Sequence, residues 1–463
     1  MLSSTTHFDA GLVAQFDRNG PRYTSYPTAD RFSDSFDEAA YRRAAANRNT
    51  GGVERPLALY VHLPFCRNVC FYCGCNKIVT RDAAKANAYL DYLDIELALV
   101  SDLFGDRSRV VRMHWGGGTP TYYDSGQLRA LFATIGSRFR LARDGDFSIE
   151  VDPRTVDEEA VEALRAIGFN RISLGVQDFD PAVQAAVHRE QSVECTLAAI
   201  AASRRCGFDS INIDLMYGLP LQTPDGFART IEKIVVARPG RIALYHYAHL
   251  PARFKPQRRI REEDVPPAEI RLELLGLAVE RLRAAGYLHI GMDHFALPGD
   301  ALAVAQGQGQ LRRDFQGYSS GPPCDLVGLG VSAIGAVERT YSQNHRDLAR
   351  YYECLGRGCL PIMRGLELSA DDLARRSVIH ALMCNFAVSK ARVEIGYLID
   401  FDRYFAPELR DLRELQDLGL LSCDGDWITV APKGRFLVRA ICMVFDRHLR
   451  AAPADGPRYS RVV

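Results

Sequence analysis

The sequence predicts an α/β protein: a parallel barrel or open sheet with an N-terminal arm and a smaller, mostly helical, winged-helix-like C-terminal domain. Two observations carry that prediction. Short apolar runs alternate with longer amphipathic ones through the middle of the chain, the pattern of βα units. Polar and glycine residues also gather where six of those runs end, and strand C-termini are where parallel α/β barrels place their active sites. The 463 residues suffice for two or three domains, one of them with a large core.

Residues 1–50 are polar and turn-rich. Within them "GPRYTSYPTAD", Gly20–Asp30, carries two prolines and a glycine and favours an extended arm over a helix or a central strand. Strands are expected at 57–63, 110–115, 147–151, 171–176, 210–216, 241–247 and 288–294. The first leads into a cysteine cluster and the second into "GGGTP". Glu150 lies in the third, "GVQDF" closes the fourth, Asp214 lies in the fifth, and the sixth runs into "YAHLP". Between them, Tyr89, Leu93, Leu97, Val100 and Phe104 recur at helical steps. "DEEAVEALRAIGF" opens with acids and closes at Gly168, and "EIRLELLGLAVERLRAAGY" ends near Gly286, as helix dipoles and C-caps prefer. From about 366 the pattern becomes helix, strand, Cys-Asp-Gly turn, strand, helix. The expected division is 1–50 as arm or lid, 51–365 as catalytic domain and 366–463 as C-terminal domain.

Composition narrows the classes. The chain is 47% hydrophobic and 25% charged, a globular balance, and Lys+Arg equals Asp+Glu at 57 each. That equality argues against a nucleic-acid partner, although Lys433, Arg435, Arg439 and Arg447 lie near the expected wing. No apolar run approaches the ~20 residues of a membrane span, and the N-terminus lacks the charged-then-apolar order of a secretory signal. Eight of the twelve cysteines are scattered, many in apolar helical contexts, which suits free thiols in a reducing cytoplasm.

The remaining four, Cys66, Cys70, Cys73 and Cys75, fall within ten residues at C-x3-C-x2-C-x-C. Tetrahedral zinc is awkward here, because Gly74 alone separates the last two. Three cysteines on a loop after a strand can instead hold three corners of a [4Fe–4S] cubane. The fourth iron is then free to bind a small molecule through an amine and a carboxylate.

In this setting the motif resembles the radical S-adenosylmethionine (SAM) superfamily, which implies a partial (β/α)6 TIM-like barrel. The stretches "GPRYTSYPTA", "YVHLPFCRNVCFYCGCNKIVTR", "HWGGGTPTY", "SIEVDPR", "NIDLMYGLP", "GMDHFA", "FQGY" and "GVSAIG" are in turn similar to the oxygen-independent coproporphyrinogen III oxidase (dehydrogenase) family. The similarity runs on to "ICMVFD" and the terminal "YSRVV". It implies oxidative decarboxylation of two propionates of coproporphyrinogen III to vinyls, giving protoporphyrinogen IX in haem biosynthesis. It also implies a 5′-deoxyadenosyl radical, a [4Fe–4S] cluster and two SAM molecules. By that resemblance Cys66, Cys70 and Cys73 hold the cluster. Tyr60, Gly117, Glu150 and Ile334 surround one SAM. Tyr72, Gly118, Thr119, Gln177, Arg189, Asp214 and Ala248 surround the other.

Physical reasons stand beside several of these assignments. Glycines at 116–118 allow a close backbone approach that any Cβ blocks, though an isolated glycine run is as often a simple turn. Glu150 and Asp214 are carboxylates inside apolar strands, suited to ribose hydroxyls or a cationic sulfonium; a buried ion pair is the bland alternative. Arg189 could clamp a carboxylate. Cys75 and Tyr60 are the candidate catalytic residues. Arg22, Tyr23 and Tyr26 offer charge and aromatic surface to a flat tetracarboxylate, or else pack a tail on the barrel. A flavodoxin- or ferredoxin-like electron donor, an unidentified electron acceptor, a cytoplasmic monomer and no nucleic acid complete the expectation. The alternatives are a haem-handling chaperone of the same superfamily and a zinc-stabilised scaffold with a nucleic-acid domain.

Overall fold

The computed structural model describes residues 6–16, 18–48, 55–105 and 108–450; the terminal "YSRVV" motif lies outside them. Six parallel strands follow one another in chain order: β1 (Leu57–Leu63), β2 (Arg109–Gly117), β3 (Arg140–Val151), β4 (Arg171–Gln177), β5 (Ser210–Tyr217) and β6 (Arg241–His246). Each expected strand in this set is present. The helices between them include Ala83–Phe104, Glu158–Ile167, which stops at Gly168 with φ +130°, and Ala268–Ala284.

At 288–294 the outcome differs from the expectation. β7 (Leu288–Gly291) and β8 (His294–Ala296) form an antiparallel hairpin instead of one parallel strand. Gly291 and Met292 both have positive φ, 148° and 50°, and reverse the chain there. Beyond them β9 (Asp325–Leu329) returns parallel to β1, and β10 (Ile334–Val337), β11 (Thr340–Asn344) and β12 (Ile362–Glu367) follow antiparallel. The sheet order is β12-β11-β10-β9-β1-β2-β3-β4-β5-β6-β8-β7, open at both edges. This is an incomplete barrel of six βα units extended by antiparallel strands.

Inside the barrel layer, apolar side chains alternate with polar ones. Ile149 and Val151 are buried toward the helices, whereas Ser148 and Glu150 face the interior. The main core runs from the Trp115–Phe169 edge-to-face pair, with ring centroids 5.0 Å apart, through the helix layer.

A second core gathers both ends of the chain. Tyr23 and Tyr26, 1% and 0% exposed, pack with Val378, Leu382, Phe401 and Ile441 of the C-terminal domain. The arm is therefore not a free strap. Its backbone at Pro21 accepts from Arg439 Nε at 3.0 Å, and a further Arg439 nitrogen donates to the Gly20 carbonyl. The wing pattern is present as Leu421–Cys423 paired with Trp427–Val430. Of the cations near it, Arg435 and Arg439 are buried, Arg447 pairs with Asp371 and Asp372, and Lys433 is half-buried.

Candidate active site

β1 ends at Leu63, and the chain folds back through the cysteine loop until Phe65–Cys66 pairs with Ile78–Val79. The loop is tied down by backbone bonds from Phe71 N to Val187 O at 2.9 Å and from Cys73 N to Cys70 O at 3.2 Å. Cys66 and Cys70 are buried, Cys73 is half-buried and Cys75 is exposed. All four line one cavity of ≈ 600 Å³ at the C-terminal ends of the strands, within the ~300–1,000 Å³ range of small-molecule sites.

Cationic groups back the thiols. Arg189 Nη1 lies 3.5 Å from Cys70 Sγ and 3.3 Å from Asp152 Oδ2, and its Nη2 donates to Gly175 O at 2.6 Å. Arg154 Nη2 stands 4.0 Å from the same sulfur, and Lys77 Nζ donates to Cys73 O at 3.0 Å. Burial pushes the Cys66 thiol up to about 11. The hydrogen bond from Cys75 draws Cys73 down to about 6 against the effect of burial, and Lys77 adds to the pull.

Opposite the thiols lies a glycine shelf at the end of β2. A Cβ on Gly116 would stand 2.7 Å from the Glu150 carboxylate, one on Gly117 2.6 Å from the His62 ring, and one on Gly118 2.5 Å from the Pro64 carbonyl. Gly117 also has φ +115°, a region L-residues seldom adopt. Gly117 N donates to Glu150 Oε2 at 3.2 Å, and His114 Nε2 lies 3.1 Å from Oε1. Burial alone would raise the Glu150 carboxyl, but these bonds and His114 hold it low. Asp214 differs: burial first, then the Glu150 charge, pushes it up to about 6, although it accepts from Asn212 at 2.8 Å and Ser173 at 3.1 Å.

Of the expected site residues, Tyr72, Gly117, Gly118, Thr119, Glu150, Gln177, Arg189 and Asp214 line the cavity with the cysteines. Gln177 has φ +70° at a β4 irregularity, a strained backbone on the cavity wall. Tyr60, Ala248 and Ile334 are not among the lining residues. Tyr60 stacks on His114, and its hydroxyl lies 3.1 Å from His62 Nδ1. Ala248 O accepts from Gln257 at 3.2 Å, and Ile334 packs in a small cluster with Phe32 and Tyr341.

Tyr23 and Tyr26 do not offer their rings to the cavity. Burying two such rings in the second core removes large apolar area from water, with Tyr23 Oη donating to Asp446 at 3.0 Å. Of the trio only Arg22 touches a cavity residue, pairing with Asp293 and lying 5.8 Å over the Tyr245 ring. Asp152, Arg154, Ser173 and Tyr245 line the cavity too. Asp152 and Arg154 were legible in "EVDPR", an acid and a base directly after an expected strand; Ser173 and Tyr245 gave no signal beyond strand alternation.

A [4Fe–4S] cluster and SAM fit these residues. Three thiols of one loop share one cavity wall, the shelf admits no Cβ, and two carboxylates face the interior as acceptors for hydroxyls or a cation.

Comparison with known proteins agrees. Residues 60–234 match the radical SAM superfamily and residues 368–437 the HemN C-terminal domain. The chain is 46% identical to an oxygen-independent coproporphyrinogen III oxidase of Pseudomonas aeruginosa, over 100% of both chains. Identity to the Salmonella typhimurium protein of the same name is also 46%, again over 100% of both. The solved structure of the Escherichia coli coproporphyrinogen III oxidase HemN, described as a radical SAM enzyme, superposes with a TM-score of 0.92 at 44% identity, covering 96% of this chain and 100% of that one.

Proposed function

The chain belongs to the oxygen-independent coproporphyrinogen III oxidase family of radical SAM enzymes, and from that premise we propose how its residues carry the reaction. The substrate is coproporphyrinogen III: each of two propionates loses its carboxyl group as carbon dioxide and one hydrogen atom from its β-carbon, and the two carbons left on the ring become the vinyls of protoporphyrinogen IX in haem biosynthesis. One observation carries the reading: the three-thiol loop, the glycine shelf and the Glu150 and Asp214 carboxylates face one cavity.

A bound [4Fe–4S] cluster with SAM would supply one-electron, radical-generating chemistry directed at the propionate β-carbon. Cys66, Cys70 and Cys73 hold the cluster, with Arg189 and Arg154 balancing the charge at Cys70. Gly117 and Gly118 let the backbone meet SAM closely, and Glu150, held ionised by His114 and Gly117 N, accepts from it. Asp214, Gln177 and Thr119 line the further space taken by a second SAM. Arg22, beside the cavity residue Tyr245 and paired with Asp293, is the arm residue we assign to a substrate carboxylate, and Cys75 is the thiol of the cavity wall we assign to the substrate side. The radical chemistry needs a site kept from water, and the packed arm and C-terminal domain are the elements we assign to that enclosure when substrate is bound.

The division into 1–50, 51–365 and 366–463, a monomeric state, a cytoplasmic setting and a flavodoxin- or ferredoxin-like reductant belong to the same proposal. No helix among the described residues is long and apolar enough to cross a membrane. The test is an anaerobic assay of reconstituted protein with SAM, dithionite and coproporphyrinogen III. Vinyl product together with 5′-deoxyadenosine is expected; absence of both with a full cluster overturns the reading.

A further inference from the structure

The charge on this chain sums to zero, yet one segment departs sharply from that balance. Between β6 and the helix Ala268–Ala284, residues 253–261 read "RFKPQRRIR", five cations in nine residues and no acid. Arg261 is paired with Asp264, Nη2 to Oδ1 at 2.8 Å. Arg253, Lys255, Arg258 and Arg259 are exposed, and none has an acidic partner among the described residues.

This segment is seated on the outer side of the cysteine loop. Gln257, 2% exposed, donates through Nε2 to Tyr72 O at 2.9 Å. The guanidinium of Arg259 lies 5.1 Å over the Phe71 ring. The Phe254 ring comes within 3.1 Å of where a Cβ on Gly74 would stand, so glycine there permits the contact. Phe71, Tyr72 and Gly74 all lie between or beside the cluster cysteines. Arg67 on the loop itself, exposed and without an acidic partner among the described residues, adds a further cation. The four cations of the segment do not line the catalytic cavity, so a substrate carboxylate held inside it does not meet them.

We propose that this cationic collar, Arg253, Lys255, Arg258 and Arg259 around the cysteine loop, is the docking surface for an acidic, low-potential one-electron carrier protein. The inference rests on the radical SAM reading above. In the step it serves, the carrier loses one electron and the cluster site gains it, with no bond or proton changing hands. Two such deliveries accompany the two propionates. A cationic rim suits that task, because steering between complementary surfaces raises encounter rates and falls with salt, while exposed charges with no acidic partner among the described residues can meet a partner's.

The test uses the reconstituted enzyme and an acidic flavodoxin kept reduced by its reductase, compared with dithionite as the alternative electron source. The variant Arg253→Glu/Lys255→Glu/Arg258→Glu leaves Arg259 and its ring contact in place, and Arg253→Gln/Lys255→Gln/Arg258→Gln removes the charge without reversing it. At low salt the reversal should cut flavodoxin-driven product formation by about tenfold or more, within the ~10–10³ range of electrostatic steering. The neutral variant should fall between it and wild type, and the gap should close as ionic strength rises. Dithionite-driven turnover should stay within about twofold of wild type. Three results would overturn the proposal: unchanged flavodoxin-driven rates in the reversal variant, a raised KM for coproporphyrinogen III under dithionite, or loss of nucleic-acid binding as the variant's only defect. A wild-type enzyme that makes no vinyl product with dithionite would instead overturn the functional reading.

Discussion

Gly117→Ala tests the glycine shelf, and its cost can be worked from the geometry. The new Cβ would lie 2.6 Å from His62 Cε1 and Nδ1, so the ring must retreat by most of an ångström. His62 Nε2 donates to Asn76 O at 2.9 Å, which leaves Nδ1 to accept from Tyr60 Oη at 3.1 Å. Moving the ring breaks both bonds, at about 1 kcal/mol each. Holding alanine at φ +115° adds about 1–3 kcal/mol. The total of at least about 3 kcal/mol is what the free variant saves by letting the shelf relax and what SAM, expected to sit there, must return to restore it, up to on the order of a hundredfold in affinity. Calorimetric titration of SAM into anaerobically reconstituted enzyme, with iron content measured in parallel, reads it directly. Gly207→Ala is the matched control: Gly207 has φ +73° but nothing within 4 Å of its Cβ position. It should cost only the backbone term and leave SAM binding unchanged. If Gly117→Ala binds SAM within about twofold of wild type while carrying a full complement of iron, the close-approach argument is refuted.

Asp214 should give SAM binding a pH dependence. Its carboxyl is raised to about 6, so acidification from about pH 7.5 to about pH 5.5 neutralises it and weakens a ligand that needs the carboxylate about fourfold; Asp214→Asn should flatten that slope. By the same sign, a carboxyl raised above its unfolded value favours the folded chain at low pH and loses that contribution as pH rises through about 6. Cys75→Ser should keep the cluster's absorption and iron content but lose product, and loss of the cluster would show that Cys75 is a ligand. Tyr23→Phe removes the buried bond to Asp446 and should lower thermal stability by about 1–3 kcal/mol. KM for coproporphyrinogen III should not change; a raised KM would restore the ring to the substrate site.

The six parallel strands were legible because each is a short apolar run ended by polar or glycine residues. The hairpin at 288–296 was not, because its reversal turns on the φ values of Gly291 and Met292, and nothing in "LHIGMDHFA" distinguishes that from one strand. Asp214 was singled out as a carboxylate in an apolar strand, but its raised affinity for a proton comes from facing Glu150, two strands away across the sheet.

By itself the sequence determined the βα framework, the C-x3-C-x2-C loop after the first strand and the glycines that follow the second. These are local facts, set by periodicity, turn chemistry and ligand spacing within a few residues. Tertiary structure alone decided which side chains share the cavity. It brought Arg154 and Arg189 to Cys70 from two different strand ends, and it buried Tyr23 and Tyr26 in the second core, away from the cavity. It also laid the basic segment 253–261 on the cysteine loop. Burial and long-range packing set those outcomes, because an aromatic ring or a guanidinium takes its role from the surfaces that meet it, and those surfaces lie up to hundreds of residues away in the chain.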